Sequence, residues 1–200
     1  LSVVAQQTTL EIKYPDNLKV EKVYGYNHTD TNHIVTVLLN DIYSKEEKEV
    51  LVHFKLIKPI ADKITLQTQV YFTDAQLDKA DQLFTDNNLS VTRDTIIYKQ
   101  NIDSLVDEMV IVYNTTEMMD NAMLEIDKGN YAAGYYYTNM ADSVVLSNSF
   151  RSKTGKVQKQ KEAVSKYKED VKDIQTKSTE QKKMIQKSSK QLNYNIKKNK

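Results

Sequence analysis

The chain has 200 residues, 40% of them hydrophobic, and a formal net charge of +1. Its length suits one large domain or two small ones, and no stretch reaches the roughly 18–20 consecutive apolar residues that a membrane-spanning helix needs. Cysteine is absent, and there are only four glycines and two prolines. This composition excludes disulfides, thiol nucleophiles and zinc–thiolate sites, and it argues against glycine-rich phosphate loops.

The charge is distributed unevenly along the chain. Residues 151–200 contain 16 Lys and Arg against 5 Asp and Glu, whereas the first 150 residues contain 12 basic and 22 acidic side chains. Such an asymmetry predicts either two structurally different halves or a basic segment with a partner of its own.

The first residues combine two periodicities. Leu1, Val4 and Ala5 have helical spacing, whereas Leu10, Ile12 and Tyr14 alternate as in a strand with one buried face. The pattern predicts that residues 1–7 are the tail of the last helix of an upstream domain, and that a strand follows directly.

Residues 8–100 are predicted to form an antiparallel β-sandwich. Apolar and polar side chains alternate most clearly in 50–56 and 64–72, and residues 34–39 form a dense apolar run that is typical of a central strand. Weaker strand patterns occur in 18–26 and 89–98. Polar stretches predict turns at 15–17, 27–32, 40–48 and 85–88.

After residue 100 the apolar spacing changes from two to three or four. Apolar side chains from Ile102 to Ile126 form one stripe along a long helix, and Lys128-Gly129-Asn130 is a typical helix end with a left-handed glycine. A second helix over 131–146 can pack back antiparallel. Residues 101–148 are therefore predicted to form a helical hairpin.

The basic C-terminal part, 156–195, is predicted to be one long helix within the helical region 101–200. Six positions fall at intervals of seven, namely Val157, Val164, Val171, Ser178, Ile185 and Leu192. Only two of the six positions three residues further on are apolar, so this is half of a coiled-coil seam. It favours docking on the same molecule or on one partner over a robust dimer. The predicted class is α+β: an antiparallel β-sandwich, a helical hairpin and a long basic C-terminal helix.

Few residues could carry chemistry. His28, Asp30 and His33 lie in one polar stretch and could ligate a metal, although aspartate and threonine are also ordinary turn residues. His53 is placed on a strand, on the face opposite Val52, and no G-x-S-x-G motif occurs. We therefore predict no enzyme activity and no cofactor, with the metal site as the alternative.

The predicted partner contacts lie in the helical half. Three consecutive tyrosines, 135–137, spread around a helix, so that at most two of them share one surface. The predicted contacts are Tyr135, Tyr136, Lys159, Lys166, Lys183 and Lys187. In the alternative interpretation the tyrosines pack against the preceding helix, and the lysines form a solvated surface on a helix that lies against the acidic half of the molecule.

Three stretches carry a resemblance to a known family. Residues 1–6 followed by 8–14 are similar to the exit of a von Willebrand factor A (VWA) domain and the strand after it in bacterial proteins of the chloride-channel-regulator-like and inter-alpha-trypsin-inhibitor-like type. Residues 40–52 resemble that family's polar turn before an apolar strand, and the helices joined by Gly129-Asn130-Tyr131 resemble those that often follow. The family's D-x-S-x-S metal motif does not occur, so no metal residue is carried over.

The resemblance implies a non-catalytic accessory region that binds proteins outside the cytoplasm, in the cell envelope. Its partner would be another protein or the upstream VWA domain, and the oligomeric state is left open. The alternative is binding of nucleic acid or another anionic polymer through the lysine-rich helix. Nucleic acid is the less favoured partner, because the lysines are spread around the helix and residues 151–200 contain a single arginine, Arg151.

Overall fold

The computed structural model describes residues 2–58, 63–148 and 153–197. The strands are Val3–Lys13 (β1), Leu18–Tyr24 (β2), His28–Thr31 (β3), Ile34–Tyr43 (β4), Leu51–Leu56 (β5), Lys63–Asp74 (β6) and Lys79–Ser90 (β7). The helices are Thr95–Gln100 (α1), Ser104–Asp127 (α2), Tyr131–Asn148 (α3), Lys156–Val171 (α4) and Thr179–Lys197 (α5), with a short 3-10 helix at Ile174–Thr176. Strands followed by helices confirm the predicted α+β class.

The chain divides into two compact units, Leu1–Asn101 (the β unit) and Ile102–Lys200 (the helical unit). In the β unit, a five-stranded antiparallel sheet has the order β3-β4-β1-β6-β7, and β2 pairs with β5 in a two-stranded sheet. Val35 and Val37 of the large sheet are fully buried, and Val20 and Phe54 of the small sheet pack against the same core. One core between the two sheets explains the alternating strand patterns.

The opening residues belong to a strand. β1 begins at Val3, and Ala5 pairs with Ile42 of β4 on one side and Asp74 of β6 on the other. The predicted helix tail over 1–7 is therefore wrong as far as the structure describes it, and Leu1 lies outside the described residues. Helical spacing over so few positions could not outweigh pairing with two neighbouring strands.

The predicted turn at 27–32 is mostly a strand. β3 pairs with β4 from His28↔Val37 to Thr31↔Ile34, which leaves only Asn32 and His33 to reverse the chain. Both have positive φ values, 54° and 61°, as a two-residue hairpin turn of the primed type requires.

The region after β6 differs most from the prediction. The predicted turn at 85–88 lies inside β7, which pairs with β6 from Lys63↔Ser90 to Asp74↔Lys79. The predicted strand at 89–98 is also wrong, because β7 ends at Ser90 and α1 follows. Asp94 is the N-cap of α1, and its Oδ1 accepts the N–H groups of Ile96 (2.7 Å) and Ile97 (3.2 Å).

In the helical unit, α2 and α3 approach each other closely. Gly129 lies in the short connection between α2 and α3 and has φ +83°, a conformation that a glycine adopts without strain. A Cβ atom placed on Gly134 would clash with Cγ1 of Ile126 and lie 3.2 Å from the carbonyl oxygen of Ala122. Glycine at position 134 is therefore what allows this contact.

The structure divides the predicted helix over 156–195 in two. α4 ends at Val171, and the chain turns through Ile174, which is fully buried, before α5. Ser178 and Gln181 form a capping box at the start of α5: Ser178 Oγ accepts the N–H of Gln181 at 3.2 Å, and Gln181 Oε1 accepts the N–H of Ser178 at 3.0 Å. Among the residues that the structure describes, no helix is long and apolar enough to span a membrane.

Candidate functional site

The structure uses the predicted metal residues in another way. The hydroxyl of Tyr14 donates to both carboxylate oxygens of Asp30, at 2.8 and 3.0 Å, and the ring of His33 lies edge-on to that of Tyr14 at 5.2 Å. Burial, and then this hydrogen bond, raise the pKa of Tyr14 to about 12. Within residues 2–58, 63–148 and 153–197, no three His, Cys, Asp or Glu side chains are grouped so that they could hold a metal. Asp30 therefore anchors Tyr14, and His28 is exposed on β3.

His53 lies beside carboxylate and ammonium groups rather than a nucleophile. Its Nδ1 is 3.6 Å from Glu21 Oε2, and Lys55 Nζ is 3.4 Å from Glu21 Oε1. All three side chains are at least partly exposed, so this is a surface charge cluster of small energetic weight.

The tyrosines on α3 have separate environments. The hydroxyl of Tyr135 donates to the carbonyl oxygen of Lys172 at 3.2 Å, and so helps to hold the end of α4. Tyr136 is 61% exposed and packs edge-on against Tyr137, with ring centroids 5.7 Å apart. A cavity of about 360 Å³ between α3 and α4 is lined by Tyr135 but not by Tyr136. The two predicted contacts therefore do not form one surface.

The basic helices lie against acidic ones. Residues 102–148, which contain α2 and α3, have eight acidic side chains and one lysine. Lys168 of α4 contacts Asp142 of α3 at 2.6 Å, and Lys190 of α5 contacts Asp127 of α2 at 2.9 Å. Part of the lysine charge is therefore balanced inside this unit.

The four predicted lysines are exposed and lie in two pairs on two helices. Lys159 and Lys166 are two turns apart on α4. Lys183 and Lys187 precede Lys190 on one flank of α5, which is the side where Lys190 reaches the acidic α2. The four lysines are therefore divided between two helices, and no single helix carries all of them as the basic stripe of a polyanion-binding helix would.

Polar side chains inside the helical unit hold the helices in register. Tyr167 Oη donates to Gln186 Oε1 at 3.0 Å, and Gln186 Nε2 donates to the carbonyl oxygen of Met123 at 3.0 Å. Burial raises the pKa of Tyr167, so this hydroxyl remains a donor at any ordinary pH. Gln160 is also fully buried, but its Oε1 has no hydrogen-bond partner among the described residues.

Glu108 is a buried charged group that the sequence analysis missed. It is 1% exposed, and its carboxylate accepts backbone N–H groups at the start of α4. The donors are Lys153 (3.3 Å), Thr154 (3.0 Å), Lys156 (3.1 Å) and Val157 (3.3 Å). A carboxylate at a helix N-terminus satisfies otherwise unpaired amides and is favoured by the helix dipole, so the role of Glu108 is structural.

The most unusual surface of the β unit is β7. Every residue of this 12-residue strand is exposed, and it carries Leu83, Phe84 and Leu89, which are 63%, 59% and 47% exposed. Phe84 also lines a shallow cavity of about 290 Å³ with Tyr71 and Gln69 on the sheet surface. Sequence reasoning missed this surface because part of β7 was predicted to be a turn.

Further apolar side chains follow β7 in the chain. Ile96, Ile97 and Tyr98 of α1 are 66%, 48% and 62% exposed. Together with Leu77 and the three apolar residues of β7, seven of the 21 exposed large hydrophobic side chains in the described part of the chain lie within 77–98. Exposed apolar side chains concentrated in this way are typical of an interaction surface.

Comparison with known proteins finds only distant structural similarity. No protein-family model and no curated protein matches the chain. The chain is similar to the crystal structure of the ArnB paralog VWA2 from Sulfolobus acidocaldarius, with 13% identity and a TM-score of 0.44 over 95% of this chain and 42% of that one. It is also similar to the human COPII-coat protein Sec24c, with 12% identity and a TM-score of 0.43 over 81% of this chain and 18% of that one. The chain thus spans less than half of either protein, and likeness at this level assigns no family.

Proposed function

We propose that the chain is a non-catalytic protein-interaction and scaffolding region, and that its β unit makes the contact. The observation that supports this most is the exposed apolar strand β7 with Leu83, Phe84 and Leu89. Removing apolar side chains from water on binding a partner lowers the free energy. In a monomer, exposed apolar surfaces are usually small.

The way in which polar groups are used agrees with a non-catalytic role. Asp30 binds Tyr14, Glu108 caps α4, and Gln186 joins α5 to α2. Each of these groups has hydrogen-bond partners that stabilise the fold, and none is placed beside a nucleophile. An accessory role next to a VWA domain, in a bacterial cell envelope, is part of the same proposal and rests on the sequence resemblance.

Site-specific photocrosslinking tests the proposal in the protein as it occurs in its cell. A photoreactive amino acid at Phe84 is expected to yield a discrete crosslinked partner, and the same amino acid at Lys19, an exposed position on β2, serves as control. The partner must then bind the purified chain saturably. Absence of a specific adduct at Phe84, Leu83 and Leu89 would refute an interaction surface on β7.

The second candidate is binding of nucleic acid or another anionic polymer. It is favoured by the exposure of Lys159, Lys166, Lys183 and Lys187, which make no ion pair within the described residues. Binding of labelled DNA and RNA, measured at about 50 and 200 mM salt, tests it, because phosphate contacts weaken steeply with salt. Binding that does not depend on salt, or no binding at the lower concentration, would exclude this candidate.

A further inference from the structure

We propose that the partner is an extended polypeptide segment with basic side chains that adds as a β-strand to the unpaired edge of β7. This rests on the proposed function, because it specifies how the β unit would bind its partner. The free backbone edge, the apolar side chains and the charges of β7 each support it.

The backbone of β7 is a long, regular edge. β7 is the last strand in the order β3-β4-β1-β6-β7, and its pairing with β6 runs over all 12 residues without a register shift. No described strand pairs with its other side. The outward N–H and C=O groups of such an edge can be satisfied by a strand, which is how β-augmentation binds peptides.

The opposite edge of the sheet shows the contrast. β3 has only four residues and ends at the tight turn of Asn32 and His33, so it offers little to another strand. Sheets usually protect their edges by short strands, prolines, lysines or bulges. β7 has no proline and no bulge, and its one lysine, Lys79, is its first residue. The β3 edge of the sheet is therefore protected by its short length, whereas the β7 edge is accessible.

The side chains of β7 define what the added strand must carry. Leu83 pairs with Val70 and Leu89 with Ile64, and these two β6 residues are at the half-buried margin of the core. The small sheet of β2 and β5 therefore leaves the leucines of β7 uncovered. Residues of an added strand would lie about 4.5–5.5 Å from these leucines, so apolar side chains at alternate positions are expected there.

The charges of β7 select a basic segment. Asp81 Oδ1 accepts the N–H of Gln82 at 2.7 Å, and Asp86 Oδ1 accepts from Gln67 Nε2 at 3.3 Å. Neither carboxylate makes an ion pair within the described residues. A second copy of β7 would add the same two carboxylates and a single lysine, so charge complementarity favours a lysine- or arginine-bearing partner over self-pairing.

The test uses a fluorescent synthetic peptide of about ten residues, in which valine alternates with lysine and threonine. A matched peptide with N-methyl groups at alternate residues along one edge cannot pair as a strand. The first peptide should bind the full chain saturably, as measured by anisotropy, and slow hydrogen exchange in 79–90. The N-methylated peptide should bind at least about tenfold more weakly.

Charge reversal checks the second part of the proposal. Asp81→Lys together with Asp86→Lys should weaken binding of the lysine peptide about tenfold, and a peptide with glutamate in place of lysine should restore it. Glu47→Lys, at an exposed position between β4 and β5, is the control and should leave binding unchanged. Circular dichroism verifies that all variants are folded.

Three results would overturn strand addition by a basic segment. They are equal binding of the N-methylated peptide, slowed exchange elsewhere than in 79–90, and dimerisation of the chain that protects 79–90 without any peptide. A partner crosslinked at Phe84 that leaves the amides of 79–90 unprotected would refute strand addition but not the proposed function. Absence of any partner at β7 would refute both.

Discussion

Replacing Glu108 by glutamine should release the start of α4. The side chain of Glu108 lies almost fully buried and accepts four backbone N–H groups through its two oxygens. Glutamine has nearly the same shape, but its NH₂ group is a donor. In Glu108→Gln, one pair of amides keeps an acceptor and the other pair faces a donor.

The magnitude follows from these contacts. Losing an acceptor for two amides costs about 1–3 kcal/mol. Hydrogen bonds to a charged group contribute more than neutral ones, which raises the cost, whereas two of the four distances are 3.3 Å, which lowers it. Removing the negative charge from the N-terminus of α4 adds about 0.5–1 kcal/mol. The free energy of unfolding of the helical unit should therefore fall by roughly 2–4 kcal/mol.

Urea unfolding followed by circular dichroism at the helix band measures the loss, and amide hydrogen exchange shows where it occurs. The first amides of α4 should exchange faster in Glu108→Gln, while those of the β unit keep their rates. Glu169→Gln, at an exposed position on α4, is the control and should change stability by less than about 0.5 kcal/mol. If Glu108→Gln is no more destabilising than this control, or destabilises both units equally, Glu108 does not cap α4.

Three further predictions concern packing, buried polar groups and pH. Gly134→Ala should lower the free energy of unfolding by about 1–3 kcal/mol through overpacking against Ile126, and less so when combined with Ile126→Ala in a thermal denaturation cycle. Gln160→Met should cost about 1–2 kcal/mol less than Gln186→Met, because Gln160 already has an unsatisfied oxygen whereas Gln186 uses both ends of its amide; equal losses in urea unfolding would contradict this. With a pKa of about 12 when folded and about 10 when unfolded, Tyr14 keeps its proton longer in the folded state, so stability should fall as pH rises from 10 to 12. Tyr14→Phe should make that decline shallower in unfolding measured across this range, and an unchanged slope would contradict the assignment.

The parts of the fold that were predictable are those with one face in a core. Leu10 on β1 and Tyr14 directly after it are buried, and their alternation with polar residues was visible because water and core lie on opposite sides of the strand. The stripe on α2 was visible for the same reason, since Met119, Ala122 and Ile126 are buried along one side. A pattern in the sequence exists where burial differs between two faces.

β7 was not predictable by this route because both of its faces are in water. Its sequence does not alternate, and Asp86, Asn87 and Asn88 resemble a turn. What makes it a strand is its pairing with β6, and sequence periodicity does not contain that information. The same property hides the candidate site, because an edge is a feature of sheet order and not of a single segment.

Two other features left signals that could have been found. Ser178 followed by Gln181 is a capping-box pattern, and it marks the start of α5 inside what the heptad spacing indicated as one helix. Glu108 falls on the apolar stripe of α2, at a helical spacing from Ile111 and Val112, which are buried. A charge at a core position indicates a buried partner, here the amides of α4.

The half-seam of the basic segment has an explanation within the chain itself. Val157, Val164 and Val171 are buried in the helical unit, and the polar positions between them are used to fix neighbours: Gln160 reaches Thr116 at 3.3 Å, and Tyr167 reaches Gln186. Heptad spacing with polar interruptions therefore specifies how α4 and α5 dock on α2, as buried polar groups specify register in coiled coils. Since this seam is already occupied, it requires no partner. The unsatisfied surface is instead β7, where apolar side chains and backbone groups both remain exposed, and this is why the β unit is the better place to search for the binding function.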